Sequence, residues 1–239
     1  MDTVISFASR MATGRMTVRN PAKVSVIVPT LNEEGAVGKV VGEIRRNVPD
    51  GEVIVVDSSD DNTFEEALRN GAVAIKEPRL GYGHAIRKGL SMASGDVLLF
   101  IDGDDSYDPS DIQRVIEPIL QGEADVSLGT RFHSKPDGMT TMRYLGNLAI
   151  NSFFSTLFGK RVTDSQTGLK AMTRGAYEEL ELEENGMTFS TEVLLKSLER
   201  KMRVREVRVG YKTRVGSSKL NPTRDGAKIL FYICRERLR

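Results

Sequence analysis

Val97-Leu98-Leu99-Phe100-Ile101-Asp102-Gly103-Asp104-Asp105 runs five apolar residues straight into three carboxylates around a glycine. A continuous apolar run of this length, closed by turn residues, is the pattern of a strand covered on both faces. The same pattern recurs outward from it. Residues 24–28, 53–56, 73–75 and 126–128 are further short β-branched runs. Helical patterns alternate with them over residues 34–47, 64–69, 84–94 and 111–120. The alternation predicts an α/β fold: one domain with a Rossmann-like, mainly parallel sheet and helices on both faces. Ligands of such sheets bind at the carboxyl ends of the strands. There stand Pro29-Thr30-Leu31-Asn32-Glu33-Glu34, Asp57-Ser58-Ser59-Asp60-Asp61, Lys76-Glu77-Pro78-Arg79 and Asp102-Gly103-Asp104-Asp105. Polar and acidic groups therefore converge on one edge.

The chain has 239 residues and a formal net charge of +1. Such a length holds one large domain with a proper core. Near-neutral charge argues against a general nucleic-acid binder. Cys234 is the single cysteine, so no intramolecular disulfide or cysteine-based zinc site forms; with only His84 and His133, a histidine-rich site is excluded too. Any metal is then a hard cation on carboxylates, Mg2+ or Mn2+.

No window approaches the ~20 apolar residues of a membrane span. Residues 1–22 read as a loose, disordered N-terminal extension without a signal peptide, with Met11 or Met16 as alternative starts. The expected location is cytoplasmic, peripheral on the membrane face. The catalytic domain is expected over residues 23–220, followed by a basic amphipathic helix over 221–239 carrying Lys228, Arg235, Arg237 and Arg239. A helix over residues 142–158 places Leu145, Leu148, Ala149, Phe153 and Leu157 on one side, widened by Phe154 and Phe158. It reads as a core or homodimer-packing helix, or as an interfacial one dipping into a bilayer. Residues 191–200 form another helix, and 204–209 a half-exposed strand.

Asp102 and Asp104 stand one residue apart at a strand end, and Gly103 lets the backbone turn there. Together they can hold one divalent cation, which clamps phosphate oxygens. A solvated helix cap is the alternative. Asp108 and Ser110, with Pro109, are better placed as a cap, which leaves residues 102–105 without a structural task. Asp57 is suited to accept hydrogen bonds from a base or ribose, or to form a turn. Asp61, Thr63 and His84 read as helix-start residues.

These residues resemble a known family. Val24-Ser25-Val26-Ile27-Val28-Pro29-Thr30-Leu31-Asn32-Glu33-Glu34 is similar to the opening of family 2 glycosyltransferases of the GT-A fold. Ile54 to Thr63, Arg79-Leu80-Gly81-Tyr82-Gly83-His84-Ala85 and Asp102-Gly103-Asp104 match the following motifs in order. Gly129-Thr130-Arg131-Phe132, Arg143-Tyr144-Leu145-Gly146-Asn147, Thr163 to Lys170 and Arg214-Val215-Gly216-Ser217-Ser218-Lys219 resemble the polyprenyl-phosphate branch. Dolichyl-phosphate mannose synthases and archaeal dolichyl-phosphate glucosyltransferases belong to that branch.

The resemblance implies a nucleotide-sugar donor bound by Pro29, Leu31, Glu33 and Asp57, and a metal on Asp102 and Asp104. It implies an acceptor phosphate on Arg131 and Arg143, with Asp164 and Ser165 in the acceptor loop. Arg214 would reach the donor, with Lys219 nearby. Relatives can carry a glutamine as a third metal ligand where this chain has Ser106. The implied reaction is metal-dependent, inverting transfer of a hexose from a UDP- or GDP-sugar to a polyprenyl (dolichyl) phosphate. A phosphate monoester carries close to two negative charges and needs no base, only cations to hold it. The competing readings are a soluble acceptor, phosphoglycerate or a glycan hydroxyl, with Asp164 as base, and a non-catalytic nucleotide-sugar-binding module. A nucleotidyltransferase is disfavoured, because Pro29 to Glu34 stands where its Gly-rich loop belongs.

Overall fold

The apolar runs assemble into one seven-stranded sheet in the order β3-β2-β1-β4-β6-β5-β7. The structure is a computed structural model that describes residues 22–238, so most of the expected extension, and Arg239, lie outside the described residues. Strands β1 (Val24–Thr30), β2 (Glu52–Asp57), β3 (Val73–Lys76) and β4 (Val97–Phe100) run parallel. So do β5 (Val126–Thr130) and β7 (Val204–Arg208). Strand β6 (Lys170–Thr173) lies between β4 and β5, antiparallel to both. The α/β fold with a mainly parallel sheet is as expected; the reversed strand between β4 and β5 is not.

Alternation along each strand sends side chains to two cores. Val24, Val26 and Val28 pack with Val37, Val40 and Ile44 of α1 (Val37–Asn47) and with Val115, Ile116 and Ile119 of α4 (Ile112–Leu120). A short helix α2 (Thr63–Arg69) adds Ala67 to this layer. Ile27, Ile54, Leu98 and Phe100 face the other way. They meet Ile86 and Leu90 of α3 (Tyr82–Met92), Ile150 and Phe154 of α5 (Thr141–Phe158), and Ala176 of α6 (Arg174–Leu180). Val193 of α7 (Phe189–Glu199) and Ile229 and Ile233 of α8 (Pro222–Arg237) complete that layer. Each such side chain fully removed from water contributes about 1.5–3 kcal/mol.

Several local expectations change. The first helix begins at Val37 rather than at residue 34. Asp108 caps a short 3-10 turn, Pro109–Asp111, by accepting from the Ser110 amide, as its position predicts. Asp105 has a structural task after all. It pairs with Lys39 at 2.7 Å and Lys212 at 2.8 Å, tying α1 to the C-terminal segment.

Helix α5 packs through Ile150, Asn151 and Phe154, so the apolar stripe read from the sequence points largely outward. Met142 is 62% and Leu145 57% exposed, and Leu148 and Phe153 also face solvent. Thr140 caps its start and Gly159, at φ 63°, closes its end. No helix among the described residues is long and apolar enough to cross a membrane.

Candidate active site

Strand β4 ends one residue before the acidic motif, and Gly103 is tucked against β1, where a Cβ would come within 2.7 Å of Thr30. Asp102 accepts from the Tyr82 hydroxyl at 2.8 Å. Gly168 sits directly behind it; any side chain there would run into the carboxylate. Asp104 is buried. Its Oδ1 accepts from the Ser106 amide at 3.0 Å and hydroxyl at 2.5 Å, and its Oδ2 faces Arg214 at 3.1 Å. Burial, followed by the charge of Asp104, raises the pKa of Asp102 to about 6. Two carboxylates in mutual repulsion, both hard oxygen donors, suit a hard divalent cation. The Ser106 hydroxyl is spent on Asp104. Among the described residues no group of three or more His, Cys, Asp or Glu side chains is placed to hold a metal ion.

Pro29 and Glu33 are buried and Leu31 half-buried at the end of β1. Asp57 is fully buried and held by Thr30 at 2.9 Å, by Lys76 at 2.7 Å and by the Ser59 hydroxyl. Asn32, in the left-handed region at φ 56°, locks this loop to the next: its amide donates to Ser59 and its side chain accepts from the Asp60 amide. Burial raises the Glu33 pKa to about 7, against the opposing charge of Arg214. Arg214 donates to Glu33 at 2.6 Å and also faces Asp104, so it spans the end of β1 and the acidic motif. The Val215 amide on the Asp104 carbonyl and the Lys212 amide on that of Ser106 fold the C-terminal segment over the motif. Lys219 lies on this segment, near enough that its charge acts on Glu33.

Strand β5 delivers Arg131. Its guanidinium grips Asp164 through two hydrogen bonds, 2.7 and 2.8 Å, between the rings of Phe132 and Tyr211. Asp164 has no exposed surface, and its amide is held by Glu206. Ser165 is anchored to Asn151 of α5 through its amide and hydroxyl. Arg143, on the first turn of α5, bonds to the Ser218 hydroxyl. Lys170 lies beneath this segment. It is fully buried, and its Nζ donates to the carbonyls of Ser165 at 3.2 Å and Ser190 at 2.6 Å. Burial pushes its pKa down to about 7, with Asp164 opposing.

The residues singled out from the sequence thus gather at one sheet edge: Asp102, Asp104, Glu33 and Arg214 in one connected group, Arg131 and Asp164 beside it. Lys76, Tyr82 and Lys170 fall inside stretches noted in the sequence but were given no role there, and Tyr107 and Tyr211 were not noted. Tyr107 is buried, donates or accepts at Thr167, and receives the Gly168 amide at 2.8 Å. Nothing in their local spacing marks their roles: the β2–β3 pairing brings in Lys76, the start of α3 Tyr82, and the reversed strand and returning C-terminal segment the others.

The mainly parallel sheet, with an acidic motif at the end of its central strand, agrees with the GT-A fold that the sequence resemblance implies. The chain belongs to glycosyl transferase family 2, matched over residues 25–180. It is 34% identical over 221 residues to a dolichyl-phosphate hexose transferase of Haloferax volcanii, covering 90% of this chain and 96% of the relative. It is 30% identical over 209 residues to the low-salt glycan biosynthesis hexosyltransferase Agl6 of the same organism, covering 84% of this chain; that match takes in about half (51%) of the relative's length. Among solved structures, glucosyl-3-phosphoglycerate synthase from Mycobacterium tuberculosis, in complex with Mn2+, UDP-glucose and phosphoglyceric acid, superimposes with a TM-score of 0.72. It is 21% identical, over 90% of this chain and 79% of that one, and establishes likeness of fold. The chain is a glycosyltransferase.

Proposed function

We propose that the chain moves a hexose from a UDP- or GDP-sugar to the phosphate of a polyprenyl phosphate, with inversion and with a divalent cation. The observation that carries this reading is the Arg131–Asp164 grip. Asp164, the residue a hydroxyl acceptor would need as base, has both oxygens committed to Arg131. An acceptor that brings its own negative charge needs no base, only the cations held in place here. The name of the Haloferax relative at 34% identity supports the same acceptor class.

Asp102 and Asp104 would hold Mg2+ or Mn2+, which when bound neutralises the leaving diphosphate. Pro29, Leu31, Glu33 and Asp57 line the base and ribose side. Arg214 turns from Glu33 and Asp104 toward the diphosphate once that anion is present. Arg131, preset by Asp164, and Arg143, with Lys219 and Ser165 nearby, orient the acceptor phosphate for in-line attack. Residues 23–220 carry this chemistry. The outward apolar side of α5, continued by Phe231 on α8 at 69% exposure, is where a membrane surface would present the lipid.

The test is incubation of the purified protein with polyprenyl phosphate, Mn2+ or Mg2+ and a panel of UDP- and GDP-sugars. Transfer that chelation abolishes and either cation restores is expected. Transfer to phosphoglycerate or a glycan hydroxyl but not to the lipid phosphate would overturn the acceptor assignment. The phosphoglycerate reading has one supporting observation, the likeness of fold to a synthase acting on that acceptor.

A further inference from the structure

Lys170 is a buried cation that neither the fold nor the proposed chemistry uses. A lone ammonium taken out of water is unfavourable unless its hydrogens are used and its charge is wanted. Here two hydrogens go to main-chain carbonyls, Ser165 at 3.2 Å and Ser190 at 2.6 Å, and no carboxylate among the described residues pairs with it.

Its place is central. In register it stands beside Phe100 of β4 and Leu128 of β5, the strands that end in the Asp102 motif and in Arg131. The segment 164–168 just before it touches both halves of the site. At one end Asp164 grips Arg131; at the other Gly168 backs the Asp102 carboxylate. Between them Gln166 donates to Thr191 of α7 at 2.7 Å and Thr167 to the Gly129 carbonyl at 2.5 Å.

We propose that Lys170 is a positioning residue that ties the segment 164–168 to the first turn of α7, so that Arg131 and Asp102 face one space. It acts through that segment and touches no substrate. The inference rests on Arg131 serving an anionic acceptor.

The test compares Lys170→Met and Lys170→Gln with the wild type in steady-state transfer, varying donor and acceptor separately, alongside thermal unfolding. Methionine keeps the volume and removes the buried charge, a change that is often neutral or stabilising. The expected result is a kcat/KM for acceptor lowered about ten- to a hundred-fold, a displacement effect, with donor KM within about two-fold and Tm not lowered. Glutamine, able to donate to one carbonyl, recovers part of the loss. Gln166→Ala, which removes another of the segment's ties to α7 at a half-buried site while the Ser190 hydroxyl still reaches the Thr167 carbonyl, shows the same pattern more weakly and serves should Lys170→Met not fold. Unchanged acceptor kinetics, or losses in Tm, donor KM and kcat that move together, would overturn the proposal. If the wild type transfers nothing to polyprenyl phosphate, the acceptor assignment fails, and the same comparison with phosphoglycerate still decides on Lys170.

Discussion

Glu33 is less willing to ionise in the folded chain than in water, and that has a sign. Its pKa rises from 4.5 to about 7, chiefly through burial. Between those values the native state binds more protons than the unfolded one, so this group lowers stability as pH rises from 4.5 to about 7. Glu33→Gln should flatten that decline, seen in Tm measured across the window. A decline of wild-type steepness in the variant would show that Glu33 is not its source. Asp102 is likewise raised, by burial and by Asp104, so Asp102→Asn should hold or raise Tm while transfer drops about a thousand-fold or more. Near-full activity would remove Asp102 from the site.

The carboxylates were legible because acid after an apolar strand has few structural explanations. Lys170 and the tyrosines were not, because a lysine or an aromatic ring has many. Their roles arise from which strand lies next to which. Asp105 misled in the opposite direction: it reads as a residue without a structural task, yet two lysines from distant segments claim it.

At the scale of elements, the best-read strands were those with long uninterrupted apolar runs. Strand β6 has four residues and opens on a lysine, and α6 opens on Arg174-Gly175, so neither carries a periodic signal. Helix α5 shows the other failure. Apolar residues occupy so much of its circumference that its inward face could not be chosen from pattern alone; neighbours on α8 decided it. The loop before β6 gives a direct test. Gly168→Ala places a methyl against the Asp102 carboxylate. A loss of about 1–3 kcal/mol from overpacking is expected, together with loss of transfer. A variant equal to wild type in both would mean that the loop is not held there.

For the whole molecule, the outward stripe of α5 and α8 predicts a surface property. Leu145→Ser with Phe231→Ser, both at exposed positions, should leave Tm nearly unchanged. The pair should weaken sedimentation with vesicles of about 30 mol% anionic lipid by about ten-fold. Equal sedimentation of variant and wild type would place the lipid elsewhere.

The position of β6 governs the order in which the molecule assembles. Strand β5 is made before β6 but cannot join β4 until β6 lies between them. During synthesis β1, β2 and β3 can pair through local β-α-β connections, and β4 then joins β1 across some seventy residues. The arginine-bearing half must wait for a strand some seventy residues later in the chain, and loop closure of that span is slow. Pulsed hydrogen exchange during refolding should therefore protect the amides of β1 and β2 first and those of β5 and β6 last. The two halves of the site come together in that final step, so a nascent or half-folded chain holds the carboxylates at the ends of β1, β2 and β4 without the arginines that face them.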